Sequence, residues 1–289
     1  MAEILTNKEH LEKFGFCVVR NLLDNKEIKK YRSVTSEINK KNGSSAQGSR
    51  IMEMIRNRET WEYIMNDRLL NILRSLLGPN IFWLHDMSTR HQVKNDITTH
   101  QFTWHRDNPC RRIGKGPDWD WDEPYNVVGA ITYLTSHEDS GSGVNFIPSS
   151  HKKTYTFTIS NILRLLHYRT KNIKFLQGLR NIIQKNIGVA CRTDPGDCVI
   201  FFANLFHEPL PTRGTRQAIM GRFGPEGKHS KNYVNYHLKH RKGNDYEINN
   251  SNKTTIDDFF NLLKSKNIYF PLPEKKEKIE GVTIPKSEY

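Results

Sequence analysis

The sequence predicts a mainly β fold with flanking helices, in one domain of 289 residues. Short apolar runs bounded by Gly, Pro and Asp recur through the middle of the chain, and they are typical of strands. Amphipathic stretches with cap residues are concentrated near the N-terminus, and they are typical of helices. No internal repeat and no linker-like stretch divides the chain, and a single all-β unit of this length is common.

A capping pattern opens the first predicted helix, because Thr6 is followed three residues later by Glu9, and Leu11 and Phe14 then have helical spacing. Gly15 ends this helix. The other N-terminal elements are a short buried strand at 16–19, a helix at about 26–38 capped by Asp24, a loop at 40–49, and a helix at 61–77 ended by Gly78-Pro79.

Strands dominate the predicted elements after residue 80. They are expected at 81–84, 86–92, 126–134, 143–147, 199–202 and 217–222. A loop at 111–125 and a basic, helical stretch at 160–187 lie between them, and a helix at about 255–265, capped near Thr254, follows. We therefore predict one domain over 1–289, with a core at about 14–224, a basic helical insertion at 160–188 and a charged tail at 270–289.

The chain is basic, with 44 Lys and Arg against 31 Asp and Glu, or 44 − 31 = +13. This balance favours anionic partners, although a solvated surface rich in lysine explains it equally well. The four cysteines are scattered and no signal peptide precedes them, so reduced thiols in a cytoplasmic protein are expected. No apolar run approaches the roughly 20 residues of a membrane span, and no transmembrane segment is predicted.

Two potential metal ligands, His105 and Asp107, stand two residues apart in a stretch that can be extended. Residues i and i+2 of a strand point to the same side, roughly 6.6 Å apart at about 3.3 Å per residue. Both side chains are therefore expected on one face, close enough to chelate one ion. Two imidazoles and one carboxylate form the ligand set of a non-heme Fe(II) facial triad, which leaves three coordination positions open.

The third ligand must come from a distant segment, and His207 is the candidate because it follows the apolar run 199–202. A His-x-Asp triplet alone is a weak signal; the order of these segments strengthens it. Arg216 comes nine residues after His207. An arginine at this point can hold a carboxylate cosubstrate by a planar, two-pronged contact that lysine cannot reproduce.

Four segments, in this order, resemble the phytanoyl-CoA dioxygenase-like branch of the Fe(II)/2-oxoglutarate-dependent oxygenases, from about residue 14 to 224. They are the opening strand at 15–23, Trp104-His105-Arg106-Asp107 at the His-x-Asp motif, 147–152 at the Pro-Gly-Ser-His turn, and 194–207 at the Gly-Asp strand with its distal histidine. The resemblance implies iron ligation by His105, Asp107 and His207. It also assigns the far carboxylate of 2-oxoglutarate to Arg216, with Arg213 as the second choice.

The resemblance further implies a double-stranded β-helix, a cupin-like jelly roll of two antiparallel sheets with iron at one mouth. The implied cofactors are Fe(II), 2-oxoglutarate as cosubstrate and O2, with ascorbate as a further candidate. Asp107 favours hydroxylation, because halogenating relatives replace this carboxylate by a small residue to admit chloride. The expected substrate is a small or medium anionic molecule, such as an acyl thioester, an acidic or phosphorylated sugar, or a natural-product intermediate.

Two positions depart from the family pattern. Ser149 replaces the usual glycine of the Pro-Gly-Ser-His turn, a change that a serine often tolerates. Arg106 stands between the first two ligands, where many relatives have glutamine, so a contact of this residue with substrate or cosubstrate is left open.

Two insertions bear on substrate choice. The loop 111–125 contains Asp118-Trp119-Asp120-Trp121-Asp122-Glu123, which is either a substrate-contacting loop, a second cation site, or a solvated loop with its tryptophans packed on the core. The stretch 160–187 has six Lys and Arg and no acidic residue. It is interpreted as a helical insertion with its charges in water, a lid with an anion-binding rim, or a surface for peripheral contact with acidic lipids.

Other interpretations of the chain are weaker. His229, His237 and His240 alternate with lysines and are expected to face water, and nothing near Cys191 or Cys198 activates a thiol. Alternative functions are a jelly-roll binding protein without turnover, or a basic protein associated with membranes or nucleic acid. Nucleic acid is disfavoured, since aromatic residues are not interleaved with the basic ones.

Overall fold

The computed structural model describes residues 6–41, 57–92, 104–111, 115–120, 122–157, 188–240 and 253–269, together with Ile159, Ile162, Leu165 and Leu166. The helices are α1 Asn7–Phe14, α2 Asn25–Lys41, α3 Arg58–Ile64, α4 Asp67–Leu77, α5 His137–Ser140, α6 Lys228–His240 and α7 Lys253–Ser265. The strands are β1 Phe16–Val19, β2 Ile81–Gln92, β3 Val128–Tyr133, β4 Gly143–Phe146, β5 Val189–Arg192, β6 Cys198–Phe202, β7 His207–Pro209, β8 Arg216–Pro225 and β9 Ile268–Tyr269.

Two sheets form the centre of the molecule. The large sheet has the order β1-β6-β3-β8-β2-β9 and the small sheet has the order β5-β4-β7. All neighbouring strands are antiparallel except β2 and β9. The sheets face each other, since Phe16 of the large sheet stacks on Phe146 of the small one with ring centroids 4.5 Å apart. The mainly β, cupin-like fold is confirmed; its two sheets do not close into a barrel.

Helices cover the outer face of the large sheet. Gln217 on β8 donates from Nε2 to the carbonyl oxygen of Arg32 and to Oγ1 of Thr35, both on α2. Tyr63 on α3 shares a 3.0 Å hydrogen bond with Thr132 on β3. One face of each strand therefore packs on helices, and the opposite face, by the two-residue period of a strand, looks between the sheets. The predicted buttressing by N-terminal helices is confirmed.

The predicted helix starts near the N-terminus are confirmed. Thr6 and Glu9 cap α1 reciprocally, and Gly15 ends it with a φ of 90°, a left-handed conformation that suits glycine. Asp24 accepts from the backbone of Glu27 while Glu27 accepts from the backbone of Asp24, so these two residues fix the start of α2.

Three predictions about the elements were wrong, and one helix was not predicted. The expected helix at 61–77 is two helices, because the Asn66 side chain accepts from the Leu69 amide and starts α4 there. The expected strands at 81–84 and 86–92 are one strand, β2, whose pairing with β8 shifts in register between Trp83 and Met87. Thr254 lies inside α7 instead of capping it, and α6 was not predicted at all.

Several expectations fall wholly or partly outside the described residues. These are most of the loop 40–49, the tail 270–289, and the stretch 160–187 apart from Ile162, Leu165 and Leu166, which are helical as predicted. Within the described part, no helix is both long enough and apolar enough to cross a bilayer.

Candidate metal centre

His105 and His207 are joined through their backbones. Each donates its amide N–H to the carbonyl oxygen of the other at 3.0 Å, which makes an isolated antiparallel bridge. The amide of Asp107 donates to the carbonyl oxygen of Ala203 at 2.7 Å. The segment that begins at His105 is thus held against the loop between β6 and β7, and the three predicted ligands come from two neighbouring stretches of chain.

The metal-binding atoms of His105, Asp107 and His207 all lie within 4.8 Å of one another. His105 Nε2 is 3.6 Å from Asp107 Oδ1, and His207 Nε2 is 3.4 Å from Asp107 Oδ2. Adjacent ligands of one ion, at bond lengths of about 2.1 Å, are roughly 3 Å apart. The spacing therefore fits three donors that share an ion, and the two-His, one-carboxylate set fits Fe(II).

The backbone fixes the orientation of the His207 ring. Its Nδ1 lies 3.0 Å from the carbonyl oxygen of Leu205, an acceptor, so the proton is held at Nδ1. When the ring is neutral, Nε2 therefore carries the lone pair that can bind a metal, and it is the nitrogen that faces Asp107. Such a contact behind a histidine ligand sets both its tautomer and its direction.

Burial differs across the three side chains. His207 is 7% exposed at its side chain, Asp107 is 25% exposed and His105 is 38% exposed. Among the described residues, the centre is therefore more buried on the side of β7 and more exposed on the side of His105.

Arg222 on β8 contacts Oδ2 of Asp107 through its Nη2 atom, and its side chain is buried. Burial acts to raise the pKa of Asp107, but the Arg222 guanidinium and the two imidazoles hold that pKa well below its usual range. Asp107 is thus a carboxylate, the form that ligates a metal. The sequence analysis missed Arg222; its only local signal was its position on the same strand face as Arg216.

Gly129 on β3 makes room for Arg222. A Cβ atom at Gly129 would lie 2.1 Å from Arg222 Nη1, so any larger residue would displace the guanidinium. The Arg222 guanidinium also lies 5.3 Å from the ring centroid of Phe201. This ring is 4.7 Å from that of His207, so Arg222, Phe201 and His207 form one packed wall of the centre.

Arg216 is the second buried arginine of β8, at 4% exposure. Its Nη2 donates to the carbonyl oxygens of Gly141, at 2.9 Å, and of Leu210. Its Nε is buried and has no hydrogen-bond partner among the described residues. An orphaned donor on a buried guanidinium fits a carboxylate ligand. Arg213, the alternative, is exposed.

The comparisons with known proteins agree with this geometry. A family model described as phytanoyl-CoA dioxygenase (PhyH) matches residues 11–218. The chain belongs to that family. A search of curated proteins by sequence found no match.

Solved structures share the fold at low identity. HygX from Streptomyces hygroscopicus, with nickel and 2-oxoglutarate bound, is 17% identical, with a TM-score of 0.53 over 75% of this chain and 85% of that one. The non-heme alpha-ketoglutarate-dependent epimerase SnoN from nogalamycin biosynthesis is 13% identical, with a TM-score of 0.52 over 76% and 79% of the two chains. The carbocyclase SnoK from the same biosynthesis is 16% identical, with a TM-score of 0.50 over 75% and 82%.

The two departures from the family pattern have structural explanations. Ser149 has a φ of 63°, the left-handed conformation that favours the family's glycine, and its Oγ donates to the carbonyl oxygen of Lys13 at 2.8 Å. Arg106 lies between the rings of Trp119 and Phe206, at 4.7 and 3.8 Å from their centroids. Arg106 also donates to the carbonyl oxygen of Ser150 at 2.7 Å. It therefore connects the His105–Asp107 segment to Trp119, Phe206 and the turn that contains Ser150.

The Pro-Ser-Ser-His turn supports the chain next to His207. Ser150 Oγ accepts from the amide of Phe206, the residue before His207, at 2.9 Å. His151 lies 3.2 Å from the carbonyl oxygen of Glu12, and burial lowers its pKa to about 4. A neutral histidine turned toward α1 has no part in ligation, so this turn braces the centre from outside.

The described part of the loop 111–125 does not form a second cation site. Asp118 is buried and accepts from three donors: Asn108 Nδ2, the amide of Cys110, and Asn232 Nδ2. Asp120 and Glu123 both pair with Lys228. Trp119 is half-buried, as the packed-loop interpretation expected, while Trp121 lies outside the described residues.

The expectation for the C-terminal histidines was wrong in two of three cases. His229 and His237 are buried on α6, with exposed fractions of 0% and 9%, and the side chain of His240 is not among those described.

The four cysteines are free and buried. Burial raises the pKa of Cys191 to about 11, which agrees with the expected unreactive thiol.

Proposed function

We propose that this chain is an Fe(II)- and 2-oxoglutarate-dependent dioxygenase that hydroxylates a small or medium anionic substrate. The convergence of His105, Asp107 and His207 within 4.8 Å is the observation that carries the proposal. Family membership supports an oxygenase-type enzyme. Hydroxylation is the preferred outcome because Asp107 supplies the carboxylate that halogenating relatives lack.

His105, Asp107 and His207 would hold the iron, and Arg216 would bind the far carboxylate of 2-oxoglutarate. When bound, iron and 2-oxoglutarate use O2 to insert one oxygen atom into a C–H bond, and the other oxygen enters succinate as CO2 is released. The chain's own part is to hold and orient. Leu205 keeps the proton of His207 at Nδ1, and Arg222 neutralises and positions Asp107.

The substrate class rests on charge. The chain carries a formal charge of +13, while Arg222 pairs with Asp107 and Arg216 is assigned to the cosubstrate. The net basic balance of the whole chain favours anions such as acyl thioesters, acidic or phosphorylated sugars, and charged natural-product intermediates. HygX has been crystallised with hygromycin B and SnoN with a nogalamycin compound, so proteins of this fold accept sizeable natural products.

Anaerobic titration with Fe(II) and 2-oxoglutarate tests the iron assignment. We expect a weak visible charge-transfer band in the wild type and none in His207→Ala or Asp107→Asn. Asp122→Asn is the matched control, because Asp122 is exposed and is not one of the three clustered donors, and it should keep the band. A missing band in the wild type, or a persistent one in His207→Ala, would refute the assignment.

Measurements of turnover distinguish the proposed enzyme from the alternative, a jelly-roll binding protein without catalytic activity. The enzyme should release succinate slowly without substrate and faster with the correct substrate, whose mass should rise by one oxygen. A product of unchanged mass, or one that has lost two hydrogens, would instead place the chain with the epimerase and carbocyclase chemistry named for its structural neighbours. Binding without any succinate would favour the silent protein.

A further inference from the structure

Asp118 is a buried carboxylate outside the metal centre, and each of its hydrogen-bond partners among the described residues is an N–H donor. It is 1% exposed, in the short 3-10 helix Pro117–Trp119. Its Oδ2 accepts from Asn108 Nδ2 and from the amide of Cys110, both at 3.0 Å, and its Oδ1 accepts from Asn232 Nδ2 at 2.8 Å. A buried carboxylate without a cation is costly unless donors satisfy it, and these three donors do so.

Oδ2 of Asp118 holds the chain that directly follows Asp107, one of the proposed metal ligands. Asn108 is the next residue and is fully buried, and this one oxygen binds both its side chain and the backbone of Cys110. The amides of Asp107 and Asn108 in turn donate to the carbonyl oxygen of Ala203, at 2.7 and 3.1 Å. The segment that carries the ligand is thus held by the loop between β6 and β7 and by Asp118.

Oδ1 of Asp118 holds the helix α6 through Asn232. This helix follows β8 after a short bend, and Ser230 Oγ on the helix donates to the carbonyl oxygen of Pro225 at the end of the strand, at 2.7 Å. The same strand carries Arg222, the ion-pair partner of the ligand carboxylate. The two oxygens of Asp118 therefore connect the two segments that form this ion pair.

We propose that Asp118 is a positioning residue of the metal centre, which sets the place of Asp107 relative to Arg222. The inference rests on the proposed iron site. Loss of a group that orients a metal ligand typically weakens metal binding by roughly 10–100-fold. Because Asp118 acts through a neighbour of the ligand, its effect should lie at the lower end of that range.

Titration of the full chain with Mn²⁺ tests the proposal. Asp118→Asn keeps the volume but places an amide N–H₂ against one of the three donors, so the dissociation constant of Mn²⁺ should rise about tenfold. Asp120→Asn is the matched control. Asp120 lies in the same loop and pairs with Lys228 of the same helix, but it does so at the surface, so this variant should bind Mn²⁺ like the wild type.

A double-mutant cycle tests the route through Asn108. Asn108→Ala alone should also weaken Mn²⁺ binding, and Asp118→Asn/Asn108→Ala should be weakened by clearly less than the product of the two single effects. If the two effects multiply, Asp118 does not act through Asn108 and the inference is wrong.

A purely structural role for Asp118 would give a different result. Asp118→Asn would then lower the free energy of unfolding in urea but leave the Mn²⁺ dissociation constant and the Fe(II)/2-oxoglutarate charge-transfer band unchanged, and this outcome would overturn the inference. If Asp118→Asn does not fold, Asn232→Ala removes the contact with α6 alone, and it should still weaken Mn²⁺ binding about threefold. Unchanged binding in Asn232→Ala would likewise overturn the inference.

His207→Ala separates this inference from the proposed function. If His207→Ala binds Mn²⁺ as tightly as the wild type does, the proposed iron site itself is wrong. If His207→Ala loses Mn²⁺ while Asp118→Asn binds it like the wild type, the iron site stands and only the role of Asp118 is wrong.

Discussion

Arg216 and Arg222 lie on the same face of one strand, six residues and roughly 20 Å apart, and both are 4% exposed. Their partners differ. Arg222 contacts the carboxylate of Asp107, whereas the partners of Arg216 among the described residues are the neutral carbonyls of Gly141 and Leu210. One arginine is thus neutralised within the protein, and the other has no acidic partner among those contacts. From this difference in charge balance we expect Arg222 to position Asp107 and Arg216 to bind a ligand.

Arg222→Met should give the largest effect, because it leaves the Asp107 carboxylate without its counter-ion. Breaking a buried pair from one side costs about 3 kcal/mol or more. The free energy of unfolding of the metal-free protein, measured in urea, should fall by about that amount. Arg222→Met/Asp107→Leu should recover most of the loss, since both charges are then absent. If Arg222→Met is as stable as the wild type, Asp107 does not depend on this arginine.

Arg216→Met should raise the dissociation constant of 2-oxoglutarate about a hundredfold, as expected when two charge-assisted hydrogen bonds to the cosubstrate are lost. Calorimetric titration of the metal-loaded protein under anaerobic conditions measures it. Arg216→Lys keeps the charge but not the two-pronged contact, and it should fall in between.

Arg213→Ala is the matched control for this effect, because Arg213 is exposed. It should bind 2-oxoglutarate like the wild type. If Arg213→Ala, and not Arg216→Met, abolishes binding, the assignment of the two arginines is reversed.

Gly129→Ala should have a smaller effect that mimics Arg222→Met without removing a charge. The added Cβ atom would lie 2.1 Å from Arg222 Nη1, so the guanidinium must shift away from Asp107. Overpacking of this kind costs about 1–3 kcal/mol. Urea unfolding should show the loss in the wild-type background and a smaller loss in Arg222→Met. Equal losses in both backgrounds would mean that Gly129 does not act through Arg222.

Arg106→Gln should give the smallest effect of the four. Arg106 stacks on Trp119 and Phe206 and donates to the carbonyl oxygen of Ser150, whereas Arg222 contacts Asp107. Loss of the stacking should lower the unfolding free energy by about 1 kcal/mol and leave metal affinity unchanged. A clear fall in metal affinity, measured by titration with Mn²⁺, would show that Arg106 also positions His105 or Asp107.

The sequence could predict that His105, Asp107 and His207 converge, as they do within 4.8 Å. His105 and Asp107 share a face through two-residue spacing, and the order of the family-like segments associates His207 with them. Arg222 could not be predicted in the same way, since its partner Asp107 is 115 residues away and only the tertiary fold brings them together. The same limit explains the wrong prediction for His229 and His237. Their lysine-rich sequence neighbours predict exposure to solvent, although the tertiary fold buries both side chains.

The errors in the helices have local causes. The apolar spacing from 61 to 77 continues across Asn66, so periodicity alone predicted one helix. The side chain of Asn66 instead caps a new start by accepting from the amide of Leu69, and an Asn-Asp pair in the middle of the pattern was the available signal. The helix α6 was missed because its buried positions are mostly Tyr, His, Asn and Ser.

The backbone bridge between His105 and His207 has a consequence for how the protein acquires its metal. The two residues are 207 − 105 = 102 positions apart in the chain, and their reciprocal 3.0 Å hydrogen bonds close that loop through backbone groups alone. The conformational entropy of gathering distant ligands is therefore lost during folding and not at the moment of metal capture. We therefore expect the folded protein to bind and release the metal ion at a preformed site. A chelator should remove the ion without unfolding the surrounding sheets.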